Sequence, residues 1–293
     1  MKPQKIVVCN DDFGEKLARK IGAKIVKFEK RIFPDGEVCP RLMSAVSADE
    51  AIIVNRMTLP MDPNSYFLET LLLAKSIIGH GIKNVDVVMP YFVYGRQDKV
   101  FRSGEPSSAK FILDLFEKTG VRKFYTVTSH AQRHKEMLDL SDMPSYNVNG
   151  LIPVAEYLKK KKFKNPIFIG PDQGSEFFAK TVAGILGHKH DMFYKTRDKN
   201  TGKITMSSNI DLRGREVILV DDIVSSGGTL INAINIAKKN GAKEVYVYVV
   251  HLVSDKGIKN ITPHVKEFLC TDTINTKISN ISVVDILAEK LKG

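Results

Sequence analysis

The 293-residue chain has no tryptophan, only three cysteines and no apolar run of eighteen residues. The last absence excludes a helix long enough to span a bilayer. The first apolar run, Ile6-Val7-Val8-Cys9, is too short for a signal peptide. Cys9, Cys39 and Cys270 are far apart and fit no zinc spacing. Each lies in or beside an apolar run, so all three are expected as small buried thiols in a reducing cytoplasm.

Acidic residues are outnumbered: 44 lysines and arginines face 33 aspartates and glutamates, a net charge of +11. A basic chain suits nucleic acid or a highly phosphorylated small molecule. Much of the lysine falls in helical stretches such as residues 157–164, which read as a solvated face. No basic stripe studded with aromatics accompanies it, so a nucleic-acid partner is not expected.

The length suits two domains rather than one core. Short apolar runs at 6–9, 51–54, 85–89, 124–127, 166–169, 217–220, 244–250 and 267–270 predict strands. Amphipathic stretches at 13–21, 63–79, 107–119, 152–161, 175–186, 229–240 and 284–291 predict helices. Their alternation argues for an α/β fold with mainly parallel sheets covered on both faces. Periodicity breaks around residues 143–150, so the expected domains are 1–146 and 147–293, the last helix packing back on the first domain. Ligands in such sheets bind beyond the carboxyl ends of strands, where most of the motifs lie.

The most informative stretch begins with the predicted strand Val217-Ile218-Leu219-Val220, with Asp221 and Asp222 at its end. Ser225-Ser226-Gly227-Gly228-Thr229 then turns into a helix. Small residues let backbone approach a ligand, and a new helix offers free N–H groups and a positive dipole end. Such a turn holds phosphate, and the acids accept from sugar hydroxyls. Glycine and serine between strand and helix are common, but the paired acids in register favour a sugar phosphate.

Other motifs follow other strands. Arg96-Gln97-Asp98 lies beyond 85–89; Arg96 is a fork donor for phosphate oxygens, and Gln97 can read an amide-like edge. Ser107 can cap the next helix. His130 follows 124–127 and is either polar surface or a ligand for metal or phosphate. His134 lies one turn on, but no third soft ligand supports zinc. Asp172 after 166–169 is a metal ligand or a helix cap. Lys195 and Arg197, two apart on an extended chain, point to one face and suit a transferring phosphoryl group, or are ordinary surface. Phe33-Pro34-Asp35-Gly36-Glu37 alone reads as a turn.

Together these blocks resemble the ribose-phosphate diphosphokinases (PRPP synthetases) along nearly the whole chain; the Gly104-Glu105-Pro106 loop and the Ser225–Thr229 turn look closer to the short archaeal-type members than to the bacterial and animal ones. Type I phosphoribosyltransferases share only the last block. The resemblance implies two tandem phosphoribosyltransferase-type, Rossmann-like domains. It implies transfer of diphosphate from ATP to the 1-hydroxyl of ribose 5-phosphate, with Mg²⁺ as cofactor. It assigns ATP to Phe33, Asp35, Gly36, Glu37, Arg96, Gln97 and Asp98, the first loop reaching a neighbouring subunit of a homo-oligomer. His130 and Asp172 would hold Mg²⁺, and Lys195 and Arg197 would act in catalysis. Ribose 5-phosphate would be bound by Arg197, Asp221, Asp222, Ser225, Ser226, Gly227, Gly228 and Thr229. Two positions depart: Thr128 stands where many members have aspartate, and Ser225 where the bacterial and animal enzymes do. A weakly active regulatory homologue, a phosphoribosyltransferase and a basic nucleic-acid-binding module are the alternatives.

Overall fold

The computed structural model describes residues 5–60, 62–131, 135–197, 204–207 and 211–292, with backbone alone for 195–197 and 204–207. The chain divides into two compact units, Met1–Asn149 with Val283–Gly293, and Gly150–Ser282. Among the described residues no helix is long and apolar enough to cross a membrane.

The first unit runs β1 (Lys5–Val8), α1 (Asp12–Ile21), β2 (Lys24–Val26), β3 (Phe28–Ile32), β4 (Val38–Leu42), β5 (Glu50–Val54) and β6 (Met57–Thr58). It continues α2 (Pro63–Gly79), β7 (Asn84–Val88), α3 (Ser108–Thr119), β8 (Lys123–Val127) and β9 (Ser145–Val148). Six strands make a parallel sheet in the order β2-β1-β5-β7-β8-β9. Ala51, Ile52, Ile53 and Val54 are all buried, as a strand covered on both faces requires. Asp11 starts α1 by accepting from the Gly14 N–H (2.9 Å), and Gly22 ends it with φ +70°. The C-terminal helix Val284–Lys292 belongs to this unit: it packs on α1, Lys20 pairs with Asp285 (2.6 Å), and Lys290 sits over the Tyr146 ring.

The second unit runs α4 (Leu151–Lys159), β10 (Pro166–Gly170), α5 (Glu176–Leu186), β11 (His190–Met192), β12 (Tyr194–Arg197), β13 (Ile204–Ser207) and β14 (Glu216–Val224). Then come α6 (Gly228–Lys239), β15 (Glu244–Leu252), α7 (Asp255–Ile261), β16 (Glu267–Thr271), β17 (Ile274–Asn275) and β18 (Ser279–Ile281). Its parallel sheet has the order β11-β10-β14-β15-β16-β18. Ile167, Leu219, Val247 and Phe268 join a core cluster with Leu230 and Ile234 of α6.

Both units follow one plan. A first strand leads through a helix to the sheet edge, an antiparallel hairpin follows (β3–β4, then β12–β13), and the chain returns on the other side of the first strand. Strand order therefore reverses between β1 and β5, and again between β10 and β14. Those two points open crevices in doubly wound sheets.

The predicted elements are present, but the sheet strands β2, β9, β11 and β18 were not expected, and there are further differences. Neither hairpin was expected, because β3 buries only Phe28 and exposes its other four residues, leaving no apolar run to read. The turn of α7 is seven residues long, too short for a periodic signal. Cys9 and Cys270 are buried, but Cys39 lies on the hairpin and is only half-buried.

Gly14 tests the packing of α1 on the end of β1. A Cβ there would lie 2.2 Å from Cys9 Cβ, so Gly14→Ala must displace the helix. We expect a loss of about 1–3 kcal/mol in urea unfolding. Gly79→Ala, in the last turn of α2 with nothing within 4 Å, should be neutral or stabilising.

Candidate active site

In the second unit the register decides the crevice. Strand β10 pairs with β14 only from Pro166↔Glu216 to Ile169↔Leu219. Strand β14 continues to Val224, so Asp221 and Asp222 lie inside the strand and not at its end as expected. On the β15 side the ladder continues past them, with Asp221 opposite Val249 and Ile223 opposite His251. Beyond the end of β10 the notch is filled by the single helical turn Gln173–Ser175.

That turn carries Ser175 onto the acids. Its Oγ lies 3.0 Å from Asp172 Oδ1 and 2.8 Å from Asp221 Oδ1. The Asp222 N–H also donates to Asp221 Oδ1 (3.0 Å). Asp172 occupies the cap position of the turn, but its side chain makes no capping bond. Burial deep in the crevice pushes the Asp221 carboxyl well above the usual carboxylate range. The charge of Asp222 adds to the shift and that of Asp172 adds less, while the bonds from Ser175 and the Asp222 N–H oppose it.

The Ser225–Thr229 turn follows from the end of the same strand, β14, into α6. Gly227, φ +85°, is the cap residue of α6, and no side chain caps the helix. The first-turn N–H groups of a twelve-residue helix are left facing outward, with open space at Gly228. Ser225 and Ser226 are exposed, and Thr229 is half-buried. The unforeseen α7 braces this turn. Asn260 Nδ2 donates to the Ser226 carbonyl (2.9 Å), and a Cβ on Gly257 would lie 2.7 Å from the Ser225 carbonyl oxygen. Sequence offered no sign of this brace, since Asn260 and Gly257 lie some thirty residues from what they support.

Lys195 and Arg197 lie on β12 of the hairpin, paired with Met206 and Ile204. Their side chains, and the loop from Asp198 to Lys203, lie outside the described residues, as does His134.

In the first unit the candidates gather at the carboxyl ends of β7 and β8. Arg96 is exposed there, and Gln97 and Asp98 are half-buried. Gln97 turns its amide to the following loop, donating to Glu105 Oε2 (3.1 Å) and to the Lys99 carbonyl (3.2 Å). Ser107 occupies the cap position of α3, yet its hydroxyl donates to the Asp98 carbonyl (3.1 Å) instead of capping. His130 is half-buried just past β8, beside Ser129, whose N–H donates to Asn147 Oδ1 (2.7 Å).

Two non-glycine residues here have left-handed backbones: Tyr94 (φ +62°), two before Arg96, and Thr128 (φ +39°), two before His130. A β-branched residue in that region is strained, and such strain concentrates at functional sites. The tip of the β3–β4 hairpin carries Phe33, Asp35, Gly36 and Glu37. Gly36 turns with φ +95°, Asp35 accepts from the Glu37 N–H (3.2 Å), and Arg31 lies over the 38 % exposed Phe33 ring (4.6 Å).

A cavity of about 370 Å³ lies at the β1/β5 reversal, lined by Asp11, Lys30, Asn55, Arg56, Asp62 and Glu69 among others. Its charges are already matched. Arg56 forks onto Asp11 (2.5 Å) and Asp12 (2.6 Å), and Lys30 pairs with Glu69 (3.1 Å). Asp62 caps α2 through the N–H groups of Asn64 and Ser65. A carboxylate thus fills the helix terminus that the second unit leaves open.

Among the described residues no three His, Cys, Asp or Glu side chains cluster as a metal cage. The oxygen-rich crevice of Asp172, Asp221 and Asp222 still fits Mg²⁺, which takes one or two carboxylates, water and substrate phosphates rather than a full protein cage.

The fold and this crevice define a phosphoribosyl-binding α/β protein. Residues 146–286 match a phosphoribosyl transferase domain, and residues 6–120 match the N-terminal domain of ribose phosphate pyrophosphokinase. The ribose-phosphate pyrophosphokinase of Sulfolobus acidocaldarius is 32% identical over 276 residues, 93% of each chain. That of Thermococcus kodakarensis is 34% identical over 269 residues, 91% of this chain and 92% of its own. The fold matches the crystal structure of phosphoribosylpyrophosphate synthetase from Mycobacterium smegmatis with a TM-score of 0.85 at 22% identity, covering 99% of this chain and 98% of that one. The chain belongs to the ribose-phosphate pyrophosphokinase family.

The shifted acid sets a pH test. A raised carboxyl penalises the folded state once pH exceeds its unfolded value of about 3.9, and the penalty grows until the folded value is passed. Asp221→Asn should therefore match wild type in thermal stability near about pH 4 and exceed it increasingly towards neutrality. Equal melting curves across that range would show that Asp221 carries no such burden.

Proposed function

We propose that the protein transfers the β,γ-diphosphoryl group of ATP to the 1-hydroxyl of ribose 5-phosphate, giving 5-phosphoribosyl 1-diphosphate and AMP. The observation that carries this reading is the uncapped start of α6 in one crevice with Asp221 and Asp222. That arrangement suits a sugar phosphate. A phosphoribosyltransferase needs no more than this and leaves the first unit without a role, whereas the family match covers both units.

The N–H groups and hydroxyls of Ser225, Ser226, Gly227, Gly228 and Thr229 take the 5-phosphate, and Asp221 and Asp222 take the ribose hydroxyls. Arg96, Gln97 and Asp98 hold ATP on the first unit. The hairpin tip supplies Phe33 for stacking and Asp35, Gly36 and Glu37 for adenine in a neighbouring subunit of a homo-oligomer. The exposure of that tip supports the role. Mg²⁺ would be the cofactor and would neutralise charge on the phosphates; His130 on the first unit would offer it an imidazole and Asp172 on the second a carboxylate. The 1-hydroxyl oxygen of ribose attacks the β-phosphorus and loses its proton. The bond to the oxygen bridging the α- and β-phosphates breaks, and that oxygen leaves with AMP. Lys195 and Arg197 stabilise the negative charge that develops, a task of positioned cations rather than a covalent nucleophile. The three free cysteines support a cytoplasmic setting.

Incubation with ATP, Mg²⁺ and ribose 5-phosphate should yield AMP and 5-phosphoribosyl 1-diphosphate in equal amounts. Absence of AMP at saturating substrates would refute the assignment. Lys195→Ala should lower kcat by about 10²–10³ with little change in the KM for ATP, the signature of an interaction made in the transition state. An unchanged rate removes Lys195 from the mechanism.

A further inference from the structure

We infer that Ser175 is a positioning residue whose single hydroxyl links Asp172 to Asp221, so that the engagement of one acid sets the orientation of the other. This rests on the ribose 5-phosphate reading of the crevice. Nothing in the sequence singled Ser175 out beyond the opening of a helix.

The link is built, not incidental. Ser175 is 4% exposed, and its Oγ reaches both carboxylates, at 3.0 Å and 2.8 Å. The two acids come from different elements, Asp172 from the loop after β10 and Asp221 from β14. Register leaves β14 without a β10 partner beyond Leu219, and Ser175 fills that gap. Its backbone is fixed as well. The Ser175 N–H donates to the Asp172 carbonyl (3.0 Å), and Gly170 packs so closely that a Cβ there would lie 2.7 Å from the Ser175 carbonyl carbon.

A hydroxyl has one hydrogen to donate and two lone pairs. Between two carboxylates it donates to one at a time and turns its lone pairs to the other. While Asp172 draws the hydrogen, Asp221 is left with the Asp222 N–H as its donor. When the Asp172 oxygen is engaged by another group, the hydroxyl is released to Asp221 and steadies it towards a sugar hydroxyl. Occupancy at Asp172 and sugar binding at Asp221 are thereby coupled, and coupling of this kind is reciprocal. A serine serving only to fill the notch would couple nothing.

The test is a double-mutant cycle read by calorimetry of ribose 5-phosphate binding, without metal or ATP. The proteins are wild type, Ser175→Ala, Asp172→Asn and the double variant. We expect Ser175→Ala to weaken binding by about threefold to tenfold, the net worth of one ordinary hydrogen bond. Asp172→Asn should alter the affinity when Ser175 is present and add less than about twofold once it is removed. A full Asp172→Asn effect in both backgrounds, or wild-type affinity in Ser175→Ala, overturns the inference. Should Ser175→Ala melt far below wild type, Ser175→Cys keeps the side-chain size with a weaker donor and must give intermediate coupling; full wild-type coupling would overturn the inference. Failure of the wild type to bind ribose 5-phosphate sinks the substrate assignment and the link together, whereas binding without coupling sinks the link alone.

Discussion

Everything in the second unit turns on carrying two carboxylates inside a buried parallel strand. Val217, Ile218, Leu219 and Val220 are fully buried, and their apolar surface holds β14 in the centre of its sheet. Asp221 and Asp222 follow without a break, so the packing that fixes the strand also buries Asp222 and half-buries Asp221. A buried carboxylate needs donors. The early end of β10 provides the room, and Ser175 and the Asp222 N–H provide the bonds. The raised Asp221 carboxyl is the residue of cost left after those bonds are made. The core that holds the two acids in place is thus the same one that penalises their charge.

The two units share a plan and use it in opposite ways. At the β1/β5 reversal of the first unit every charge in the cavity has an internal partner, and Asp62 occupies the N–H groups of α2. At the β10/β14 reversal of the second unit α6 starts on Gly227 with no side-chain cap. The same topology therefore yields one crevice closed by its own charges and one open to an anion. Helix termini bind anions only where the protein has not already supplied one.

The strands were legible because a strand buried on both faces must be continuously apolar, as residues 51–54 and 217–220 are. The start of α2 was legible at Pro63, where the predicted amphipathic stretch begins. The β3–β4 hairpin was not, because β3 buries only Phe28 and β4 only Val38. The motif residues were found by chemistry and position beyond a strand. Their arrangement was not: Ser107 caps nothing, and Gln97 spends its amide on its own loop. The left-handed backbones of Thr128 and Tyr94 had no trace in the sequence, since neither is a residue chosen for that conformation.

By itself the sequence determined the α/β class, the order of its main strands and helices, and the residues able to meet a phosphate, a sugar and a cation. Those follow from local chemistry: apolar runs, small turn residues and side-chain functional groups. The tertiary structure decided which crevice is open, how far β14 runs past β10, and that Ser175, Gly257 and Asn260 reach the acids and the turn. Such facts depend on strand register and on contacts between distant segments, which no local pattern records.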